Sequence, residues 1–470
     1  MRAVTDLDPA LAPRSFDAMI GVRRIDITAN ELSKTSASGR VHRELRPSLL
    51  SHFGKFLHDN ERFSTYSFGM NERPDLQCFP ATHAAAIARI AAVDVERYAA
   101  SRNALAGAVS GLSPYITHGI VTTHQVLAAV ASRQPIGIHH KFVAELGWRS
   151  YYRHVWQHRG DAIFQSLHQG LLPDASYGTS IPDDVRYACS GVPVIDQAVR
   201  QLYVSGYLHN HARLWLASYL VHVRKVHWRA GADWLYSHLL DGDLASNHLS
   251  WQWVAGTGSR KPYLFNAENV ERFASLPWHS RGTAIDTDYD ALDALARDAN
   301  RHVAEYGNHG AGIAEPQASS LPPDDIASAP EPGQVAGRDV WLVHPWALRE
   351  PSRHLPPGCV RLGIVVSDFH SRWPWSEHRW RFVGEAMLAT TDQCWHGDMN
   401  SIGEALRQAR SVHSITEPHL REYLPRIAHT EADAALFPEV DQLCHSFSQW
   451  WSHVTKNLRQ ATELFGAVEN

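Results

Sequence analysis

The chain has few cysteines and no metal-binding spacing. Its five cysteines (Cys78, Cys189, Cys359, Cys394 and Cys444) are scattered through 470 residues and none belongs to a CxxC pair. There is no HExxH, and no His-x-His beside an acid, although the chain carries 30 histidines. Zinc ribbons, iron–sulfur clusters and zinc hydrolases lose their usual frameworks, and no metal is expected. An odd set of isolated thiols fits a reducing compartment. No apolar run approaches the roughly 20 residues of a membrane span. The opening MRAVTDLDPALAPRSFD has acids where a secretory signal has an apolar core. A cytoplasmic, membrane-free monomer is expected. No GxGxxG follows a strand-like run, which disfavours a dinucleotide-binding Rossmann domain.

Negative charge is missing locally, although the formal net charge is −5. Between Asp196 and Asp233 there is no acid, yet Arg200, Arg213, Arg224, Lys225 and Arg229 occur. From Gln134 to Gly160 the one acid is Glu145, among Lys141, Arg149, Arg153 and Arg159. Two readings stand side by side. These stretches build a positive face for nucleic acid, or they are helix faces whose cations pair with acids elsewhere.

The sequence divides into four parts. Residues 1–75 lack periodicity and form an N-terminal extension with no assigned role. Residues 76–306 read as an all-α domain: THAAAIARIAAVDVERYAASR, HKFVAELGWRSYYRHVWQH, VIDQAVRQLYVSGYLHNHARLWLASYLVHV and ADWLYSHLL carry apolar residues at helical spacing. Residues 307–338 are dense in Pro, Ala, Gly and Ser and read as a linker. Residues 339–470 change type. DVWLVHPWAL, VRLGIVVSDF, QCWHGD and SVHSITEP read as strands, SEHRWRFVGEAMLATT and NSIGEALRQAR as intervening helices, and the tail SFSQWWSHVTKNLRQATELFG as one more helix. That alternation implies a Rossmann-like α/β domain with a parallel sheet.

Polar residues interrupt the buried helices in three places. In HKFVAELGWRSYYRH, Phe142, Glu145, Trp148, Arg149 and Tyr152 recur every three or four residues and share one face. Asn210 and Arg213 lie one turn apart in GYLHNHARLWLASYL. Asp243, Asn247 and Trp251 fall at four-residue steps in LLDGDLASNHLSWQW, with Asp241 just before them. A buried guanidinium requires a partner, and these acids offer one. An acid, a cation, amides and aromatics on converging faces frame a planar ligand with polar edges, such as a flavin.

These segments, in this order, resemble the FAD-binding signature of the photolyase/cryptochrome family. The resemblance runs from VSGLSPYITHG through LGWRSYYRH and GVPVIDQAVRQLYVSGYLHNHARLWLASYLV to HWRAGADWLYSHLLDGDLASNHLSWQWVAGTG, about residues 80–273. It implies that Tyr98, Ser110, Leu112 and Ser113 hold the FAD pyrophosphate and ribityl chain. It implies that Phe142, Glu145, Arg149, Asn210, Arg213, Asp241, Asp243 and Asn247 line the cofactor, with Arg213 paired to Asp241 and Asn247 facing flavin N5. Glu145, Trp148 and Trp253 match residues that meet a flipped-out pyrimidine dimer. Trp251 and Trp228 match the inner members of an electron-transfer chain, and Tyr177 is the nearest candidate for the outermost.

The chain also departs from the pattern. Val109 and Gly111 replace a Thr and a basic residue in the phosphate turn. His211 stands for a DNA-contacting Arg, Leu214 for a Met, and KPYLFNAEN lacks the usual Arg. The family's antenna domain, normally first, resembles residues 339–470, so a reversed domain order is implied. The implied function is blue-light-driven splitting of cyclobutane pyrimidine dimers in damaged DNA by reduced FAD, with a second antenna chromophore allowed. The alternatives are a cryptochrome-like photoreceptor without repair and a light-independent flavoprotein. Binding through the acid-free stretches, and a pH response from His211, are further expectations.

Overall fold

Polar side chains cap the starts of most of these helices, and glycines set where several end. The computed structural model describes residues 78–303, 312–351 and 355–467; the extension read over 1–75 lies outside the described residues. The run expected as one helix over 82–102 is two, α1 (His83–Ala91) and α2 (Val95–Ser101). Asp94 is extended there and caps α2 by accepting the Arg97 N–H at 3.0 Å. The long α3 (Lys141–Arg159) starts at His140, whose ring accepts the Phe142 N–H, and stops at Gly160.

The reading of 194–223 as a continuous helix breaks in the same way. α4 (Pro193–Ser205) closes on Gly206 at φ 64°, a left-handed conformation in which a side chain would also run into Leu240. α5 (Asn210–Ser218) follows and loosens into a π turn over Tyr219–Val223. α6 (Trp228–His238) and α7 (Leu244–Ala255) complete the cluster, with Asp243 capping α7 through the Ser246 N–H.

Beyond residue 338 the β-branched runs become a parallel five-stranded sheet. Its strands are β1 (Asp339–Val343), β2 (Val360–Val366), β3 (Gln393–Gly397), β4 (Ser411–Ile415) and β5 (His429–Glu431). Their order is β3-β2-β1-β4-β5, with Val340 beside Val360 and Val412, and Ile364 beside Trp395. The three-residue β5 is too short to leave a periodic signal in the sequence. α8 (Glu377–Thr390) carries the chain from β2 to β3, and α9 (Met399–Leu406) from β3 back across the sheet to β4.

The tail expected as a single helix is α10 (Phe447–Val454) and a short piece over Leu464–Ala467; Asn457, at φ 65°, lies between them. The segment read as a linker is stitched down along its described part, 312–338. Glu315 accepts from Trp234 and His238, Ala318–Ser319 pair antiparallel with Trp375–Ser376, and Ser328 exchanges backbone bonds with Cys394 and His396.

In open α/β sheets, ligands sit where the strand order reverses, at the carboxyl ends of the strands. Here that point lies between β1 and β4, and side chains fill it. Trp346 stacks on His419 at 4.6 Å, Phe369 packs edge-on to Trp346, and Trp156 of α3 closes the other side. The cavity beside them measures about 40 Å³, room for a few waters.

Candidate functional site

The helical cluster encloses a cavity of about 320 Å³. Its wall is built from the faces that the three- and four-residue spacing predicts. α3 contributes Phe142, Glu145, Trp148, Arg149 and Tyr152, α5 contributes Asn210, Arg213 and Leu214, and α7 contributes Asn247 and Trp251. Asp241 and Asp243 enter from the loop between α6 and α7, and Tyr98, Ser110, Ser113 and His211 complete the lining among the expected residues. A smaller cavity of about 140 Å³ shares Tyr98, Val109 and Ser110 with the first and adds Arg89 and Arg97.

Three expected residues do not line it. Leu112 is 1% exposed and packs into the core, so only its neighbours in the turn reach the cavity. Trp228 lies beneath the wall, its indole N–H donating to Ser166 at 3.0 Å. Trp253 packs on Tyr263 at 5.6 Å, because two residues along a helix from Trp251 is about 200° around it. Trp251 itself rests on α6 at Gly231, where any Cβ would enter the indole ring.

The floor of the cavity is an ionic network. Arg213 Nη2 donates to Asp241 Oδ2 at 2.7 Å, and its Nε to the Leu208 carbonyl at 2.9 Å. Burial works against the Asp241 charge, but Arg213 outweighs it and holds the carboxyl below its usual range. Asp243 is fully engaged: Arg149 and Arg153 reach Oδ2 at 3.4 and 3.1 Å, and Ser246 donates twice to Oδ1. Burial opposes this charge too, yet the two guanidiniums hold the carboxyl far below the ordinary carboxylate range. Arg149 also donates to Thr117 at 3.0 Å. Asn247 lines the cavity and donates its amide to the Ala232 carbonyl at 2.8 Å, which leaves its oxygen as the free end, an acceptor.

The rim differs. Glu145 pairs with Arg102 at 2.8 Å and keeps its side chain 34% exposed; burial raises its carboxyl, with Arg102 pulling the other way. Trp148 stacks on Phe447 of α10 at 4.0 Å with the rings 9° apart, so one of its faces is already covered. His211 Nδ1 donates to the Asn103 carbonyl (2.6 Å) and the ring stacks on Trp215; burial pushes it toward the neutral form.

The acid-free stretches do not form an open cationic face. Besides Arg149, Arg153 and Arg213, Arg224 pairs with Asp184 at 2.6 Å and Arg229 with Asp233 at 2.6 Å. Lys225 donates to the carbonyls of His222, Leu295 and Ala296. These cations pair with acids and carbonyls, some on the same helix and some from distant segments, which favours the second of the two readings for them. Sequence reasoning missed Arg102, Arg153, Glu417 and the carbonyl partners; helix spacing gives no signal for contacts made 40 to more than 200 residues away.

The donor set fits a flavin. Asp241 Oδ1 and His209 Nε2 are buried without a hydrogen-bond partner, and both residues line the cavity. A carboxylate accepts only, so this position takes a hydrogen-bond donor, and the edge of an isoalloxazine carries an N–H. The outer chain of aromatics is also in reach. Tyr177 lies 6.2 Å from His227, which lies 5.7 Å from Trp228.

Comparison with known proteins adds to the geometry. Residues 142–278 match the FAD binding domain of DNA photolyase. The deoxyribodipyrimidine photo-lyase of Streptomyces griseus is 36% identical over 159 residues, 33% of this chain and 34% of that protein. The Escherichia coli photo-lyase is 33% identical over 169 residues, 33% of this chain and 35% of that one. Among solved structures, a Synechocystis cryptochrome shares 26% identity over 41% of this chain and 43% of its own, with a TM-score of 0.36. The chain spans about a third of the length of the two photo-lyases. Residues 142–278 are thus similar to the FAD-binding domain of the photolyases.

Proposed function

We propose that the protein is a light-driven DNA photolyase that splits cyclobutane pyrimidine dimers. The observation that supports this most is the sealed ionic floor, Arg213–Asp241 beside Asp243–Arg149–Arg153, below a rim that keeps Glu145 and Trp148. When bound, reduced FAD supplies an electron on blue-light excitation that enters the dimer and returns after the ring bonds break, with no net redox change.

The chain's own residues bind, orient and shield. Arg213 and Asp241 fix the polar edge of the ring, and Tyr98, Ser110 and Ser113 hold the phosphates and ribityl chain. Asn247 would lie beside the flavin ring and offer it an acceptor. Glu145 and Trp148 receive the extruded dimer, with Glu145 hydrogen-bonding its bases. Unstacking costs a few kcal/mol and is least for a damaged pair. Trp251 and Trp228 carry an electron inward from the Tyr177 side when the cofactor must be reduced. The helical FAD unit precedes the α/β unit, the reverse of the family's usual order.

A second reading is favoured by one finding. The cations expected to grip phosphates are paired internally, and Phe447 covers one face of Trp148. Those features suit a cryptochrome-like photoreceptor that keeps the flavin and does not act on DNA. The test mixes reduced, FAD-loaded protein with a thymine-dimer oligonucleotide under blue light and counts restored thymines. Light-dependent restoration supports repair; none, with the flavin intact and reduced, leaves the photoreceptor.

A further inference from the structure

Behind the Asp241–Gly242–Asp243 loop, on the side away from the cavity, lies a guanidinium from the α/β unit. Arg379, on α8, is 0% exposed. It donates to the Gly242 carbonyl at 2.6 Å and to the Tyr236 carbonyl at 2.9 Å, and lies 4.0 Å from the centre of the Trp375 ring. A Cβ on residue 242 would overlap this guanidinium, so the glycine is what allows the approach. Arg379 makes no ion pair among the described residues, and its Nε is buried without a partner. Arginine stays charged under such conditions.

A second group reaches in from the same unit. Glu417 follows β4 and is 5% exposed. It accepts from Arg153 at 3.4 Å, the residue that also holds Asp243, and from the His419 ring at 2.5 Å. The other ring nitrogen of His419 accepts the Leu244 N–H, so its tautomer is fixed and the ring is neutral. Around the loop, the guanidiniums of Arg149, Arg153, Arg213 and Arg379 thus face the carboxylates of Asp241, Asp243 and Glu417, and one positive charge is left over. Burial drives the neighbouring His118, His344, His370 and His419 toward their neutral forms, Tyr236 lies under Arg379, and Asp433, which also acts on Arg153, is itself paired with Arg349.

We infer that the α/β unit is an electrostatic part of the flavin site: Arg379 and Glu417 set the charge behind the Asp241–Gly242–Asp243 loop, and with it the reduction potential of the flavin. Neither residue lines the cavity, so both are positioning residues acting through the loop and through Arg153. The excess positive charge favours the more anionic, reduced cofactor, because charges act strongly in a desolvated site. The inference rests on the reading of the cavity as an FAD site.

Its test is a potentiometric titration of the purified, flavin-loaded full chain. Arg379→Met lowers the midpoint potential by about a decade in the equilibrium constant, 59 mV for a one-electron step. Glu417→Gln raises it, since Arg153 then loses a counter-charge, and Arg379→Lys stays near the parent. Opposite signs are the signature, because a merely structural role moves both variants the same way through loosened binding. Should Arg379→Met fail to fold, the direction of Glu417→Gln decides alone. Shifts of the same sign, or Glu417→Gln within a factor of two of the parent, overturn the inference. Parent protein that carries no flavin overturns the FAD reading instead.

Discussion

The floor and the rim of the cavity are built on opposite principles. On the floor, every carboxylate has a guanidinium and the carboxylates are almost wholly removed from water: Asp241 and Asp243 have side chains 4% and 1% exposed. At the rim, Glu145 is about a third exposed and Trp148 leans on a helix from the far end of the chain. A buried pair is costly to form and far costlier to break, so the floor behaves as one rigid piece. An exposed pair is worth little, so the rim can exchange partners when a substrate arrives. On the proposed function, holding a cofactor and admitting a substrate demand these two different constructions.

The largest expected effect is on the floor. Asp243→Asn keeps an oxygen to cap α7 but leaves Arg149 and Arg153 without their shared counter-charge, at a cost of about 3–5 kcal/mol. The pH dependence has a definite sign. A carboxyl depressed on folding contributes stability that is present above its unfolded value, about 3.9, and is lost as pH falls below it. Denaturant titrations between pH 2 and 7 should show parent stability falling below about pH 4 and a flatter profile in Asp243→Asn. Asp241→Ala comes next, at about 3 kcal/mol, the low end because Arg213 remains 23% exposed. Thermal melting and flavin content of the purified variant check it; full flavin with normal melting would contradict the floor as described.

A third change probes the wall between floor and electron path. Gly→Ala in a helix ordinarily gains about 1 kcal/mol. At Gly231 the added methyl meets the Trp251 ring, so Gly231→Ala should lose about 1–3 kcal/mol and slow photoreduction. Flash photolysis of that variant beside Trp251→Phe, in which photoreduction is nearly abolished, tests whether the electron passes there. The smallest effect belongs to a surface cation. Arg229 is committed to Asp233 and packs over Phe164 and Trp373, so Arg229→Ala should leave the salt dependence of DNA binding unchanged. A phosphate-gripping arginine would reduce that slope by about 0.9.

The same contrast explains what could be read from the sequence. Phe142, Glu145, Arg149 and Tyr152, and Asp243, Asn247 and Trp251, were legible because helical spacing alone puts them on one face. The sheet was legible from its β-branched runs except for three-residue β5, and the helix breaks at Asp94 and Gly206 were hidden inside good helix formers. Partners from distant segments left no local trace. Glu417 meets Arg153 across 264 residues and Arg379 meets Gly242 across 137. The two readings of the acid-free stretches stayed open for that reason, since Asp184, Asp241 and Asp243 arrive from outside them.

The central claim is that this floor holds a photoactive flavin, and the absorption spectrum of the purified full chain, before and after blue light with an external reductant, tests it most directly. The account predicts a protein-bound flavin band that bleaches on illumination and is lost from Asp241→Ala. A purified, folded protein with no flavin absorbance, and none gained on incubation with FAD, would contradict it.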